Sequence, residues 1–119
     1  MKVVVFSKHD YTFAAKLSKI CNTYSDQLFF LNTFNDLVKF KNQKDLLIIV
    51  DLNDYTDNLD SVINSIKHVD KFSICALIQK MESKIQKQAT KSGFDIGMSK
   101  EMFLMNFKTI RQQIAHLKG

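Results

Sequence analysis

The feature that most constrains this chain is Leu46-Leu47-Ile48-Ile49-Val50, five consecutive large apolar residues closed abruptly by Asp51. A strand with one wet face alternates apolar and polar residues. An unbroken apolar run of this length instead suits a strand covered on both faces, as a parallel sheet between two layers of helices requires. The carboxylate that ends it then stands at the carboxyl edge of the sheet, where open α/β sheets place their working crevice.

The rest of the chain repeats this pattern. Val3-Val4-Val5-Phe6 is a second run suited to a strand buried on both faces, Leu28-Phe29-Phe30-Leu31 is another apolar run, Ile74-Cys75-Ala76-Leu77-Ile78 reads as the fourth strand, and Asp95-Ile96-Gly97-Met98 as a weak fifth. Between them, apolar residues recur at helical spacing: Phe13, Leu17, Ile20 and Cys21; Phe34, Leu37, Val38 and Phe40, with Thr33 as candidate cap; Leu59, Val62, Ile63 and Ile66; then the mostly polar stretch 82–92 with Gly93 at its C-cap; and finally Phe103, Phe107, Ile110, Ile114 and Leu117 on one last helix. Five βα units in 119 residues predict one α/β domain spanning 1–119. The expected architecture is a flavodoxin-like (βα)5 three-layer sandwich with a parallel five-stranded sheet in the order 2-1-3-4-5. The strand ends then bring together Ser7 and Lys8, Asp51, Gln79 and Lys80, and Ser99 and Lys100. Because strands one and three flank the switch point, Lys8 and Asp51 are expected to be neighbours.

Composition excludes several function classes. No apolar run approaches the roughly 18 to 20 residues of a membrane span, and the apolar start is too short for a secretory signal, so no membrane role is expected and a cytoplasmic location is. Cys21 and Cys75 are expected to be buried free thiols. His9, His68 and His116 are scattered without ligand spacing, so no metal centre is expected of them. Three glycines, none forming a glycine-rich turn after the first strand, give no dinucleotide or P-loop site, and no nucleophile elbow or Cys–His pair is present. No catalytic residue and no cofactor is therefore assigned. Residues 80–119 carry seven Lys and one Arg against Glu82, Asp95 and Glu101, so the whole net charge of +5 falls in the last third. Without a recognisable nucleic-acid motif, that surplus is read as a solvated face or an acidic-partner surface.

The segments Asp45 to Leu52 and Gly93 to Lys100 resemble the third and fifth strands of bacterial response-regulator receiver domains, and the resemblance extends over the whole chain in element order. It implies that Asp51 stands at the phosphoacceptor position and Lys100 at that of the phosphate-binding lysine. The departures are concentrated in the same pocket. The family's paired acids for Mg²⁺ at the end of strand one are Ser7 and Lys8 here. The hydroxyl residue that closes strand four is Ile78, followed by Gln79. The switching aromatic of strand five is Gly97, and the proline after the lysine is Glu101. Asp51 with Lys8 and Lys100 makes a pocket of about +1, which repels a dication. One ammonium–carboxylate contact near 4 Å is of order 4 kcal/mol at an effective dielectric near 20, before desolvation. Lys8 is accordingly expected to stand in for the metal.

The expected function is that of an atypical receiver in two-component signalling, a protein-interaction module without Mg²⁺-dependent aspartyl phosphorylation. Its partner would be a signalling protein such as a kinase or effector. Met98, Met102 and Met105 beside Lys100, Lys108 and Arg111 form the candidate partner face. The resemblance adds possible homodimerisation through helix four, strand five and helix five. Two alternatives stay open: a phosphorylatable receiver in which displaced carboxylates such as Asp10, Asp54 or Asp57 hold the metal, and a small flavodoxin-like ligand-binding domain or enzyme.

Overall fold

A computed structural model of the chain describes residues 1–40, 46–52, 54, 64, 72–78, 87, 91, 94 and 96–118; for 72–78, 96 and 114–118 it describes the backbone alone. Among the described residues there are five strands: β1 (Lys2–Phe6), β2 (Gln27–Phe30), β3 (Leu46–Asp51), β4 (Phe72–Ile78) and β5 (Ile96–Ser99). They form one sheet in the order β2-β1-β3-β4-β5, and every neighbouring pair is parallel. Parallel neighbours cannot be joined by tight turns, so each connection must cross a face of the sheet.

The two faces are covered differently. On one, Val3, Val5, Leu47 and Ile49 pack against Phe13, Leu17 and Cys21 of α1 (Tyr11–Thr23) and against Phe103, Phe107 and Ile110. On the other, Val4, Phe6, Leu46, Ile48 and Val50 pack against Leu37 and Phe40 of the 3₁₀ helix Phe34–Phe40, with Leu52 and Phe94. Side chains of a strand alternate between faces. A run that is apolar at every position therefore supplies both cores at once, and all six residues of β3 are buried. At about 1.5–3 kcal/mol per fully buried large side chain, the five apolar residues of β3, all at 0% exposure, are a large share of the described core.

Two expectations are corrected here. The last helix is not continuous. It divides into α2 (Lys100–Met105) and α3 (Phe107–Lys118), with Asn106 between them. The Asn106 side-chain amide and its backbone N–H both donate to the Met102 carbonyl, at 2.8 and 3.0 Å. An asparagine that competes in this way for a backbone acceptor interrupts regular helix. Phe103, Phe107 and Ile110 nevertheless stay on the core side, while the side chains of Ile114 and Leu117 lie outside the described residues. In the segment after β2, Val38 is exposed rather than packed, because the tighter 3₁₀ winding turns it away from Leu37 and Phe40. Helices expected around 59–66 and 82–92 fall mostly outside the described residues; Asn64, Lys87 and Lys91 are helical.

α1 is closed at both ends by its own sequence. Asp10 is the N-cap, its Oδ1 accepting from Phe13 N–H at 3.0 Å. At the other end Asp26 N–H donates to Cys21 O at 2.9 Å and Ser25 N–H to Asn22 O at 3.2 Å, the paired bonds of a Schellman stop. Ser25 takes the left-handed conformation, φ 58°, where glycine is usual. Cys21 is buried and free, and burial pushes its thiol up to about 11.

Candidate functional site

Strand register builds the crevice. Phe6 pairs with Val50, so Ser7 stands level with Asp51 at the carboxyl edge. On the far side of β3, Asp51 pairs with Leu77, and Ile78 pairs with Ser99 one step further on. Ser99 ends β5 and caps α2, its Oγ accepting from Met102 N–H at 3.2 Å. The first residue of α2 is Lys100. Its side chain turns inward beneath the cap, with the ammonium 5.7 Å from the Phe13 ring centroid.

Lys100 Nζ sits 2.6 Å from Asp51 Oδ2 and 2.8 Å from Asp10 Oδ2. One ammonium thus joins the end of β3 to the N-cap of α1. Asp51 is 1% exposed, and Ser7 Oγ donates to the same Oδ2 at 3.1 Å. Asp10 uses its two oxygens separately, Oδ1 for the cap and Oδ2 for Lys100. The hydrogen bond from Lys100, then that from Phe13 N–H, hold the Asp10 carboxyl below its ordinary range. Burial pulls the Lys100 ammonium down, but hydrogen bonds to Asp10 and Asp51 outweigh it, and the net displacement is upward. Across the rim, Lys8 N–H donates to Asp54 Oδ2 at 2.7 Å, tying the β1–α1 loop to the turn after β3.

This geometry revises the sequence expectations residue by residue. Asp51, Lys100 and Ser7 meet in the crevice. Lys100, expected beside Asp51, sits on its carboxylate. β1 ends at Phe6, so Ser7 occupies the level of Asp51, and Lys8, one step beyond and exposed, donates its backbone N–H to Asp54. Asp10, read as a loop residue, is the second carboxylate of the site. The signal available in the sequence was its place three residues before Phe13, the first core residue of α1. Gly97 pairs with Ala76 inside the sheet, Ile78 closes β4, and Gln79 and Asp57 lie outside the described residues.

The proposed partner face is also redrawn. Met98 is partly buried against the core, whereas Met102 and Met105 are exposed. Arg111 is committed elsewhere: its Nε and a terminal nitrogen donate to the two oxygens of Asp26, at 2.6 and 2.7 Å, and its guanidinium lies 4.7 Å from the Tyr24 ring centroid. That pairing raises the arginine further above its ordinary value. Two cations of the basic last third are therefore paired with carboxylates of the first half, so the net charge of +5 is less concentrated in the last third than composition implies.

No protein-family model matches the chain, and no curated protein matches its sequence. Solved structures do match its fold. A response regulator from Thermotoga maritima superposes with a TM-score of 0.71 at 13% identity, covering 93% of this chain and 97% of that one. A response regulator in red light signaling of R. palustris gives 0.65 at 16% identity, covering 92% and 90%. A response regulator protein from Burkholderia pseudomallei, with a phosphorylated aspartic acid, calcium ion and citrate, gives 0.65 at 18% identity, covering 99% of this chain and 72% of that one. Parallel sheet, strand order and flanking helices agree, and the chain has the flavodoxin-like fold of response-regulator receiver domains.

Proposed function

We propose that the chain is an atypical receiver that acts in signal transduction through protein contacts, with Asp51 held in a standing ion pair instead of serving as a metal-dependent phosphoacceptor. The observation that carries this reading is the position of Lys100 Nζ, within 2.8 Å of one oxygen from each of Asp10 and Asp51. Mg²⁺ needs several oxygens in near-octahedral geometry. Here two candidate carboxylate oxygens already accept from one ammonium, the Ser7 hydroxyl stands at the level of Asp51 just after β1, and no group of three His, Cys, Asp or Glu among the described residues could hold a metal. The donor set does not suit a dication, and Lys100 supplies the positive charge in its place. A fixed internal cation costs the domain its dependence on metal and leaves binding, not catalysis, as its mode of action.

One observation favours the phosphorylatable alternative: Asp10 brings a second carboxylate beside Asp51, as a displaced ligand would. Acetyl phosphate with millimolar Mg²⁺ separates the two readings. On the first, intact mass is unchanged and calorimetry detects no saturable Mg²⁺ binding. A gain of one phosphoryl group that disappears in Asp51→Asn would establish the second.

A further inference from the structure

Five large apolar side chains are exposed among the described residues, and three of them, Tyr11 (77%), Met102 (42%) and Met105 (73%), belong to α1 and α2. These helices are neighbours on one face of the sheet. Lys100 of α2 reaches the N-cap of α1, and the Phe13 and Phe103 rings lie 6.3 Å apart. Each helical residue advances about 100°, so Tyr11 lies roughly opposite the buried Phe13, and Met105 roughly opposite the buried Phe103. Both therefore point away from the sheet, on the outer surface of the same layer. One turn after Tyr11, exposed Ala15 keeps that surface low.

The charge around these residues has one predominant sign. α1 contains no acid, and its exposed charges are Lys16 and Lys19; on α2 and the described part of α3 the exposed charges are Lys108 and Glu101. The carboxylates of Asp10 and Asp51 turn inward onto Lys100. Scattered exposed apolar residues need no explanation, but bulky ones on adjacent helices within a basic surround have the composition of a docking surface.

We infer that the outer face of α1 and α2 docks an amphipathic helix of a partner protein, its apolar side on Tyr11, Met102 and Met105 and its acidic flanks on Lys16 and Lys108. This rests on the interaction-module reading above. A second copy of the chain is a poor occupant, because symmetric docking would oppose like charges. An apolar helix face laid along two helices, with acidic residues at its margins, satisfies both features.

The test uses the full chain and a fluorescein-labelled Leu/Glu amphipathic peptide of about 18 residues, with a Leu/Lys peptide of the same pattern as control. The expected result is saturable binding of the Leu/Glu peptide, about tenfold or more tighter than the control, and weakened by a similar factor in Tyr11→Ser/Met105→Ser. Lys108→Glu should weaken it several-fold and flatten its salt dependence. Amide shifts should centre on residues 11–16 and 101–108. Unchanged thermal unfolding of the variants confirms that they are folded. No binding, equal binding of both peptides, no loss in the double variant, or shifts centred on Phe30 and Val38 would each overturn the inference. Binding that appears only after treatment with acetyl phosphate and Mg²⁺ would uphold the face and overturn the phosphorylation-independent reading.

Discussion

Two buried carboxylates stand at opposite edges of the sheet, and each takes a cation from the last third of the chain. Asp26, just before β2, is held by the Arg111 fork, two bonds to two oxygens, with the Met1 ammonium 3.3 Å from Oδ1. Asp51, just after Val50, shares the single ammonium of Lys100 with Asp10 and receives a hydroxyl from Ser7. Arginine matches one carboxylate in a plane and leaves little to rearrange, whereas lysine is a point charge that two carboxylates can share. The Asp26 end is therefore a closed clasp between the C-terminal helix and the edge strand. At the Asp51 end one ammonium is shared by two carboxylates, so a change of charge there is felt at the N-cap of α1.

The comparison can be broken most severely at Lys100. Lys100→Met removes the ammonium that bridges the buried Asp51 and Asp10, and should cost about 3–5 kcal/mol in urea unfolding. Adding Asp51→Asn should recover much of that loss; a double variant no more stable than Lys100→Met would show that the lysine acts chiefly by packing. The same pair makes a signed prediction in pH. The Asp10 carboxyl is depressed below its ordinary 3.8, so its contribution is present above that value and lost as pH falls through the lower folded value. The Lys100 ammonium is raised above its ordinary 10.5, so its contribution is present below that value and lost as pH rises through the higher folded value. Stability measured between roughly pH 5 and 9 should thus show no step from this latch, which a titration of unfolding midpoints can check.

At the other edge, Arg111→Ala should cost about 3 kcal/mol, because Asp26 loses its fork while staying buried. Arg111→Lys should restore only part of it, since a point charge cannot make both bonds. If lysine restores all of it, the clasp has no more geometric specificity than the Asp51 end. Asp10→Asn should cost only about 1 kcal/mol, as asparagine still caps α1 and Lys100 keeps Asp51. Its effect should appear as faster amide exchange at Phe13. The smallest change is Ser25→Gly, which relieves a left-handed serine beside Asp26 and should gain about 0.5 kcal/mol. A loss of stability would mean that the Ser25 side chain makes a contact worth more than the backbone relief.

Much of the fold was legible in apolar runs. Strand positions follow from the apolar runs and their order from the flavodoxin-like solution open to five βα units; β2 is the exception to two-sided burial, with Leu28 and Phe29 half-buried and Phe30 exposed at the sheet edge. The break at Asn106 was not legible, because the core stripe through Phe103, Phe107 and Ile110 continues across it; one side-chain amide at the Met102 carbonyl decides it. Asp26 gave no signal at all: a carboxylate between a helix and a strand reads as a solvated turn until a guanidinium 85 residues away is folded onto it.

The sequence by itself determined that a carboxylate closes the central strand and that a lysine follows the fifth. Both statements depend on local periodicity, which a linear chain contains. Which cation serves which carboxylate was a tertiary decision. The sequence offered both Lys8 and Lys100 as partners of Asp51, and Lys100 Nζ sits 2.6 Å from its carboxylate. The parallel register also brings Ser7 level with Asp51, while the capping geometry of α1 turns Asp10 into the same crevice. Ion pairs require convergence within about 4 Å of atoms from separate elements, and no spacing along the chain encodes that convergence.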